Sequence, residues 1–180
     1  MLYPLVLAAG LAGLAGLSSI PAIDIYVTER IYRLSQFHRF STYFSTAILW
    51  LNFTGSLACL PASYTRYVYR YAVELGLINV GFKGLLDRPR PVDSWLGDKG
   101  VYLPVYAIRR TTCSTLNQSF PSGHVATVYC TYHLLSNPYA QQLWVVLLGI
   151  TIFARMNLGA HHFSDCMWAL LICQSAMTAT

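Results

Sequence analysis

Six apolar stretches take up most of this chain, at 2–20, 42–62, 66–86, 122–136, 141–159 and 163–179. A helix needs about 20 mostly apolar residues to cross the hydrocarbon of a bilayer. The runs 2–20, 42–62, 141–159 and 163–179 meet that demand most clearly. The run 66–86 is interrupted by Glu74 and Asn79, and 122–136 is short and stopped by Asn137-Pro138. The runs are continuous rather than alternating with period two, which argues against a β-barrel. Charge is correspondingly scarce: 11% of the 180 residues, where a soluble domain carries about 25%. A formal charge of +5 is too small and too uneven for a nucleic-acid binder. The five cysteines (59, 113, 130, 166 and 173) contain no CxxC pair, so they outline neither a disulfide framework nor a zinc site. The expectation is an all-α integral membrane protein. It is a six-transmembrane-helix bundle forming one domain over 1–180.

Three segments have their own character. In the first span Gly10, Gly13 and Gly16 alternate with Ala8, Ala12 and Ala15, a spacing that lets a neighbouring helix approach closely. The rival reading, a secretory signal peptide, lacks a basic residue ahead of its apolar core. Ile31, Leu34, Phe37 and Phe40 recur every three residues beside Arg30, Arg33 and Arg39, which predicts an amphipathic helix lying in the headgroup plane. The long polar stretch is the loop 87–118.

Charges within a bilayer are costly, by about 2.5–3.5 kcal/mol each on the gentlest scale, so those near spans mark ends or function. Lys83 and Arg90 stand at the exit of the third span, and His124 at the entrance of the fourth. Arg155 stands near the exit of the fifth, with His161 beyond it and Asp165 opening the sixth. Span parity puts all of these on one membrane face. Lys83, Arg90 and Arg155 are cationic donors, and arginine forks match phosphate oxygens bidentately. Pro121-Ser122-Gly123-His124 reads as a helix start whose Ser122 can cap and whose Gly123 admits close approach, an anion site. His161 and Asp165 are four residues apart, so the carboxylate can fix the imidazole tautomer. His162 is the competing nucleophile but lacks an acid at that spacing. Together these residues describe a phosphoryl-transfer site. A metal is the weaker reading, because cations crowd the cluster and no second carboxylate group accompanies it; no cofactor is expected.

Lys83-x6-Arg90-Pro91, Pro121-Ser122-Gly123-His124 and Arg155-x5-His161-x3-Asp165 resemble the three motifs of the type 2 phosphatidic acid phosphatase superfamily. Three motifs in order at these spacings form a specific signal, anchored within 83–165. The resemblance implies that His161 is the nucleophile and forms a phosphohistidine, that Asp165 orients it, and that His124 protonates the leaving oxygen. It also implies that Lys83, Arg90, Ser122, Gly123 and Arg155 hold the phosphoryl group. The family's usual serine before the third-motif arginine is Ala154 here, which puts one hydroxyl contact in doubt.

The implied activity is a metal-independent lipid phosphatase with a bell-shaped pH dependence that survives EDTA. Substrates in view are undecaprenyl pyrophosphate, phosphatidylglycerol phosphate, lipid A 1-phosphate and phosphatidic acid. Membrane lipids are the expected surroundings, and no nucleic acid is expected as a partner. The alternative is a non-catalytic lipid-phosphate binder or transporter on the same scaffold, which would need no oriented nucleophile. Sidedness divides the signals. Arg30, Arg33, Arg39, Lys99, Arg109 and Arg110 share the site's face against Arg66 and Arg70 opposite, so the positive-inside rule puts the site in the cytoplasm. The family resemblance implies a bacterial inner-membrane protein with its site facing the periplasm or exterior, and that reading is preferred because headgroup-binding cations distort the count.

Overall fold

The computed structural model describes residues 2–58, 60–97, 102–110 and 118–178; Cys59, Lys99 and Cys113 lie outside them. The helices are α1 (Leu2–Ser18), α2 (Pro21–Tyr32), α3 (His38–Ala58), α4 (Leu60–Tyr71), α5 (Lys83–Leu85), α6 (Gly123–Leu134), α7 (Pro138–Asn157) and α8 (Phe163–Thr178). Between α4 and α5 the chain winds as a π-helix, Ala72–Phe82. This wider form is rare and is often found at functional sites. Leu86–Asp87 and Arg109–Arg110 form a two-residue antiparallel ladder, and an isolated bridge between Pro89 and Gln118 joins the two ends of the polar loop.

Each apolar run of the sequence is helical, with boundaries set by local chemistry. Asn137-Pro138 both stops one helix and starts the next. The Asn137 side chain accepts from the Tyr139 and Ala140 amides, and Pro138 occupies the first helical turn, where its missing N–H costs nothing. The central element is α6: Val125, Ala126, Val128, Tyr129, Cys130 and Leu134 are buried on several sides of it. Of these, Val125, Ala126, Tyr129 and Cys130 pack with Leu11 and Ala15 of α1, Ile78 of the π-helix, Met156 of α7, and Cys166, Leu170 and Cys173 of α8, while Val128 packs with Ile48 of α3 and Trp144 of α7. Cys130 and Cys166 are free thiols.

Span lengths depart from the sequence-based expectation. Among the described residues, one helix, Pro138–Asn157, is long and apolar enough to cross a membrane. A second span is counted only if Val6–Ser18 and Pro21–Tyr32, bent by 87° to each other, are taken together. The reason is physical: α6 has 12 residues and so rises about 18 Å, well short of about 30 Å of hydrocarbon. α3 has 21 residues, but its Ser, Thr and Asn content dilutes its hydropathy. The helix expected in the headgroup plane is also displaced, and the residues it buries are the polar Asp24 and Thr28. It runs over Pro21–Tyr32, and the three-residue apolar period of 31–40 crosses a turn and a short 3-10 segment, Ser35–Phe37, before α3 begins. Buried Asn157 holds this elbow: it donates to the Ile31 and Leu34 carbonyls and accepts from the Ser41 hydroxyl.

Candidate active site

Backbone hydrogen bonds stitch three distant segments into one site. The Ser119 amide donates to the Arg88 carbonyl at 2.8 Å, the Val92 amide to Gly159 at 3.1 Å, and the Ser122 amide to Asp165 at 3.2 Å. The turn after α7 explains why residues 155 and 161 meet. Gly159 has φ +62°, a conformation that suits glycine. Its amide donates to Met156, while the Ala160 and His161 amides both return to the Arg155 carbonyl, completing a Schellman-type helix end. A Cβ at Gly159 would stand 2.9 Å from Val92 Cβ and 3.0 Å from Tyr32 Cε2, so the position is closed to side chains on steric grounds as well.

His161 is buried and lies within electrostatic reach of Arg155, Asp165, Lys83 and His124. Its Nδ1 lies 2.7 Å from the Ser119 carbonyl. A carbonyl oxygen only accepts, so Nδ1 carries the proton and Nε2 keeps its lone pair. Burial, followed by the Arg155 charge, pushes the His161 imidazole well below its ordinary range, against the opposing pull of Asp165. The ring is therefore neutral and nucleophilic at Nε2.

The structure assigns the neighbouring contacts differently from the spacing argument. Asp165 Oδ2 is 3.9 Å from His161 Nδ1, too far for a hydrogen bond. The same oxygen accepts from the His162 amide at 2.8 Å and meets His162 Nδ1 at 3.2 Å. The indole of Trp95 donates to His162 Nε2 at 3.1 Å, so both His162 nitrogens are engaged. Of the two adjacent histidines, His161 is the one with a free ring nitrogen. Its tautomer is set by the main chain of Ser119, with the Asp165 carboxylate nearby as a charge. Spacing alone could not separate these arrangements, because residues at i+3 and i+4 share a helical face.

The other motif residues gather around this ring. His124, on the first turn of α6, faces Arg155, Lys83 and Arg90. A Cβ added to Gly123 would lie 3.0 Å from Asn79 Oδ1 and 3.4 Å from Lys83 Nζ; the π-helix and the first residue of α5 thus carry a polar amide and an ammonium up to the start of α6. Ser122 is the N-cap of α6, but its side chain makes no capping bond. Its buried Oγ and the buried Nε of Arg155 have no hydrogen-bond partner, although the Cys166 thiol lies beside the hydroxyl. Buried polar atoms are normally satisfied, so these two are poised for an anion. Among the described residues, no group of three His, Cys, Asp or Glu side chains is placed to hold a metal ion.

Sequence reasoning passed over Asp24 and Ser119 and did not foresee the burial of Arg88. Arg88 is fully buried and binds both Asp165 and Asp24. Burial alone would lower its pKa; the two carboxylates outweigh that and raise it. Asp24 lies 64 residues away in sequence, and a single acidic residue on an amphipathic stretch forms no motif. From His124 and Arg155 a groove of about 670 Å³ runs along α3, past Thr42, Ser45, Leu49, Trp50 and Phe53. The family model of the PAP2 superfamily matches residues 63–180, which include every one of the motif residues above. No curated protein and no solved structure matches the chain.

Proposed function

The chain belongs to the PAP2 superfamily, whose members are phosphatases acting on phosphate esters; on that premise we propose that it is a membrane lipid phosphatase working through a phosphohistidine. One observation carries the reading: a buried imidazole with its Nδ1 proton committed to the Ser119 carbonyl, amid Lys83, Arg155 and His124. Nε2 of His161 attacks phosphorus as the P–O bond breaks. His124 gives its proton to the leaving oxygen, and Lys83, Arg90, Ser122, the Gly123 amide and Arg155 hold the phosphoryl oxygens. Water then takes the phosphoryl group from the histidine. No step in this sequence calls for a cofactor.

The lipid character of the substrate rests on the surroundings of the site. The groove beside His124 and Arg155 offers Leu49, Trp50 and Phe53 to an apolar tail while the headgroup sits among the cations. Val6, Leu14, Trp50, Leu143, Val145 and Val146 are exposed, whereas Asp24, Ser41, Asn52, Arg88 and Asp165 are buried. That is the reverse of a water-soluble surface. In Pro138–Asn157 only 22% of the apolar window is buried, which suits a helix facing lipid better than the core helix of a soluble domain. In this reading α1, α3, α4 with its π-helical continuation, α6, α7 and α8 form the bundle, and α2 lies across the membrane surface. The placement proposed is a bacterial inner membrane, with the site facing the periplasm or exterior.

The test is phosphate release in detergent from undecaprenyl pyrophosphate, phosphatidylglycerol phosphate, lipid A 1-phosphate and phosphatidic acid. The wild type is expected to hydrolyse at least one of them, and His161→Ala to lose about 10³-fold or more in kcat. Equal release by both proteins overturns the assignment.

A further inference from the structure

A buried ion cluster outside the three motifs joins α2 to the site. Arg88 donates through Nη2 to Asp24 Oδ2 at 2.9 Å, through Nη1 to Ser164 Oγ at 2.7 Å and to Asp165 Oδ1, and through Nε to the Leu103 carbonyl at 3.0 Å. Asp24 Oδ2 also accepts from the Tyr102 hydroxyl at 2.8 Å and from Ser164 Oγ at 2.5 Å. Both carboxylates and the guanidinium are inaccessible to solvent. Two carboxylates on one guanidinium leave a single negative charge in excess, held beside His161 and His162.

The same face of α2 caps another helix. Asp24 Oδ1 accepts from the Ser164 amide at 2.8 Å and Thr28 Oγ1 from the Phe163 amide at 3.0 Å. Two of the amides that open α8 are thus satisfied by side chains from α2, where capping residues are normally local. Capping accounts for Thr28, whose hydroxyl carries no charge. It does not account for Asp24, because an amide oxygen would cap equally well, and a buried carboxylate is costly to maintain.

We propose that Asp24 is a positioning residue for the phosphoryl transfer: with Arg88 it holds the Asp165 carboxylate in place and supplies the excess negative charge that a phosphorylated imidazole requires. The proposal rests on the phosphatase reading above. In the transfer the Nε2 lone pair of neutral His161 forms the N–P bond and the P–O bond breaks. The leaving oxygen takes a proton from His124. The ring keeps its Nδ1 proton and becomes cationic, and Asp165, 3.9 Å away, stabilises that charge without hydrogen bonding to it. The groups facing His161 are Arg155 from α7, Asp165 from α8, Lys83 from α5 and His124 from α6. Arg155 and Lys83 are cations, His124 is neutral once it has given up its proton, and Asp165 is the one anion among the four, which makes the carboxylate cluster the counterweight.

The experiment compares wild type, Asp24→Asn and Thr28→Val in detergent, recording kcat, KM, the pH profile and the unfolding temperature. Asp24→Asn keeps the acceptor for the Ser164 amide and removes the charge. It is expected to lower kcat about tenfold or more with KM within about twofold. With one negative charge fewer, protonation of His161 becomes less favourable, so the acid limb moves to lower pH by about half a unit. Thr28→Val is expected to lower the unfolding temperature while kcat and the acid limb stay where they are. Wild-type kcat and an unmoved limb in Asp24→Asn overturn the proposal, as does a Thr28→Val protein that reproduces the loss. Tyr102→Phe, which leaves every charge in place, covers the case in which Asp24→Asn does not fold. A kcat about threefold lower at unchanged KM supports the proposal, and wild-type constants overturn it. Failure of the wild type to release phosphate from any substrate marks the phosphatase reading as the part that is wrong and takes this proposal with it.

Discussion

The proton on His161 is decided by a main-chain oxygen, and that has consequences for pH dependence. A side-chain acid that titrates can lose its hold on a ring, whereas the Ser119 carbonyl accepts at every pH. The imidazole is held below its ordinary value by burial and by Arg155, so the neutral form persists as the pH falls below about 6.5. The acid limb of kcat/KM therefore lies below pH 6.5. A limb at or above that value, measured on the wild type with a soluble phosphate ester, contradicts the assignment. The other histidine has a complementary signature. If His124 protonates the leaving oxygen, His124→Ala loses about 10²–10⁴-fold on an alkyl phosphate but far less on a p-nitrophenyl ester, whose leaving group needs no proton. Equal losses on both esters remove that role.

At the level of elements, the helices were legible, and which of them are long and apolar enough to cross a bilayer was not. The hydropathy runs mark α3, α6, α7 and α8 to within a few residues because breaks such as Asn137-Pro138 end the apolar run and the helix together. The period over Ile31, Leu34, Phe37 and Phe40 misled because a turn after Tyr32 resets the phase, and periodicity carries no information across a turn. The three motifs were legible because phosphate chemistry restricts residue type and spacing together. Asp24, Ser119 and Asn157 were not: one acts through a side chain paired across the fold, one through its carbonyl, and one by holding an elbow. Asn157→Ala leaves the Ile31 and Leu34 carbonyls and the Ser41 hydroxyl without their partner. It is expected to cost about 2–3 kcal/mol, read as a lowered denaturant midpoint; an unchanged midpoint refutes the role given to this elbow.

Across the described residues, an apolar core coexists with buried charges and with large apolar side chains left exposed. Arg88, Asp24 and Asp165 are sealed within, and Trp50, Leu143 and Val146 are exposed. In water such an exterior would aggregate; in lipid it is the expected coat. The protein expressed in bacteria is therefore expected in the membrane fraction and to stay there through alkaline carbonate extraction. Recovery in the soluble extract would refute the membrane assignment and the lipid substrate with it.

Connections between helices ordinarily absorb an extra residue with little harm. The one between residues 155 and 161 has no slack, because the arginine's own carbonyl is gripped twice by the turn that follows it. The backbones of Arg155 and His161 are therefore held at a fixed separation. A single-residue insertion or deletion here would slide the attacking nitrogen off the phosphorus, even though the segment looks like an expendable linker. Length variation among related chains should accordingly fall everywhere except in these few positions.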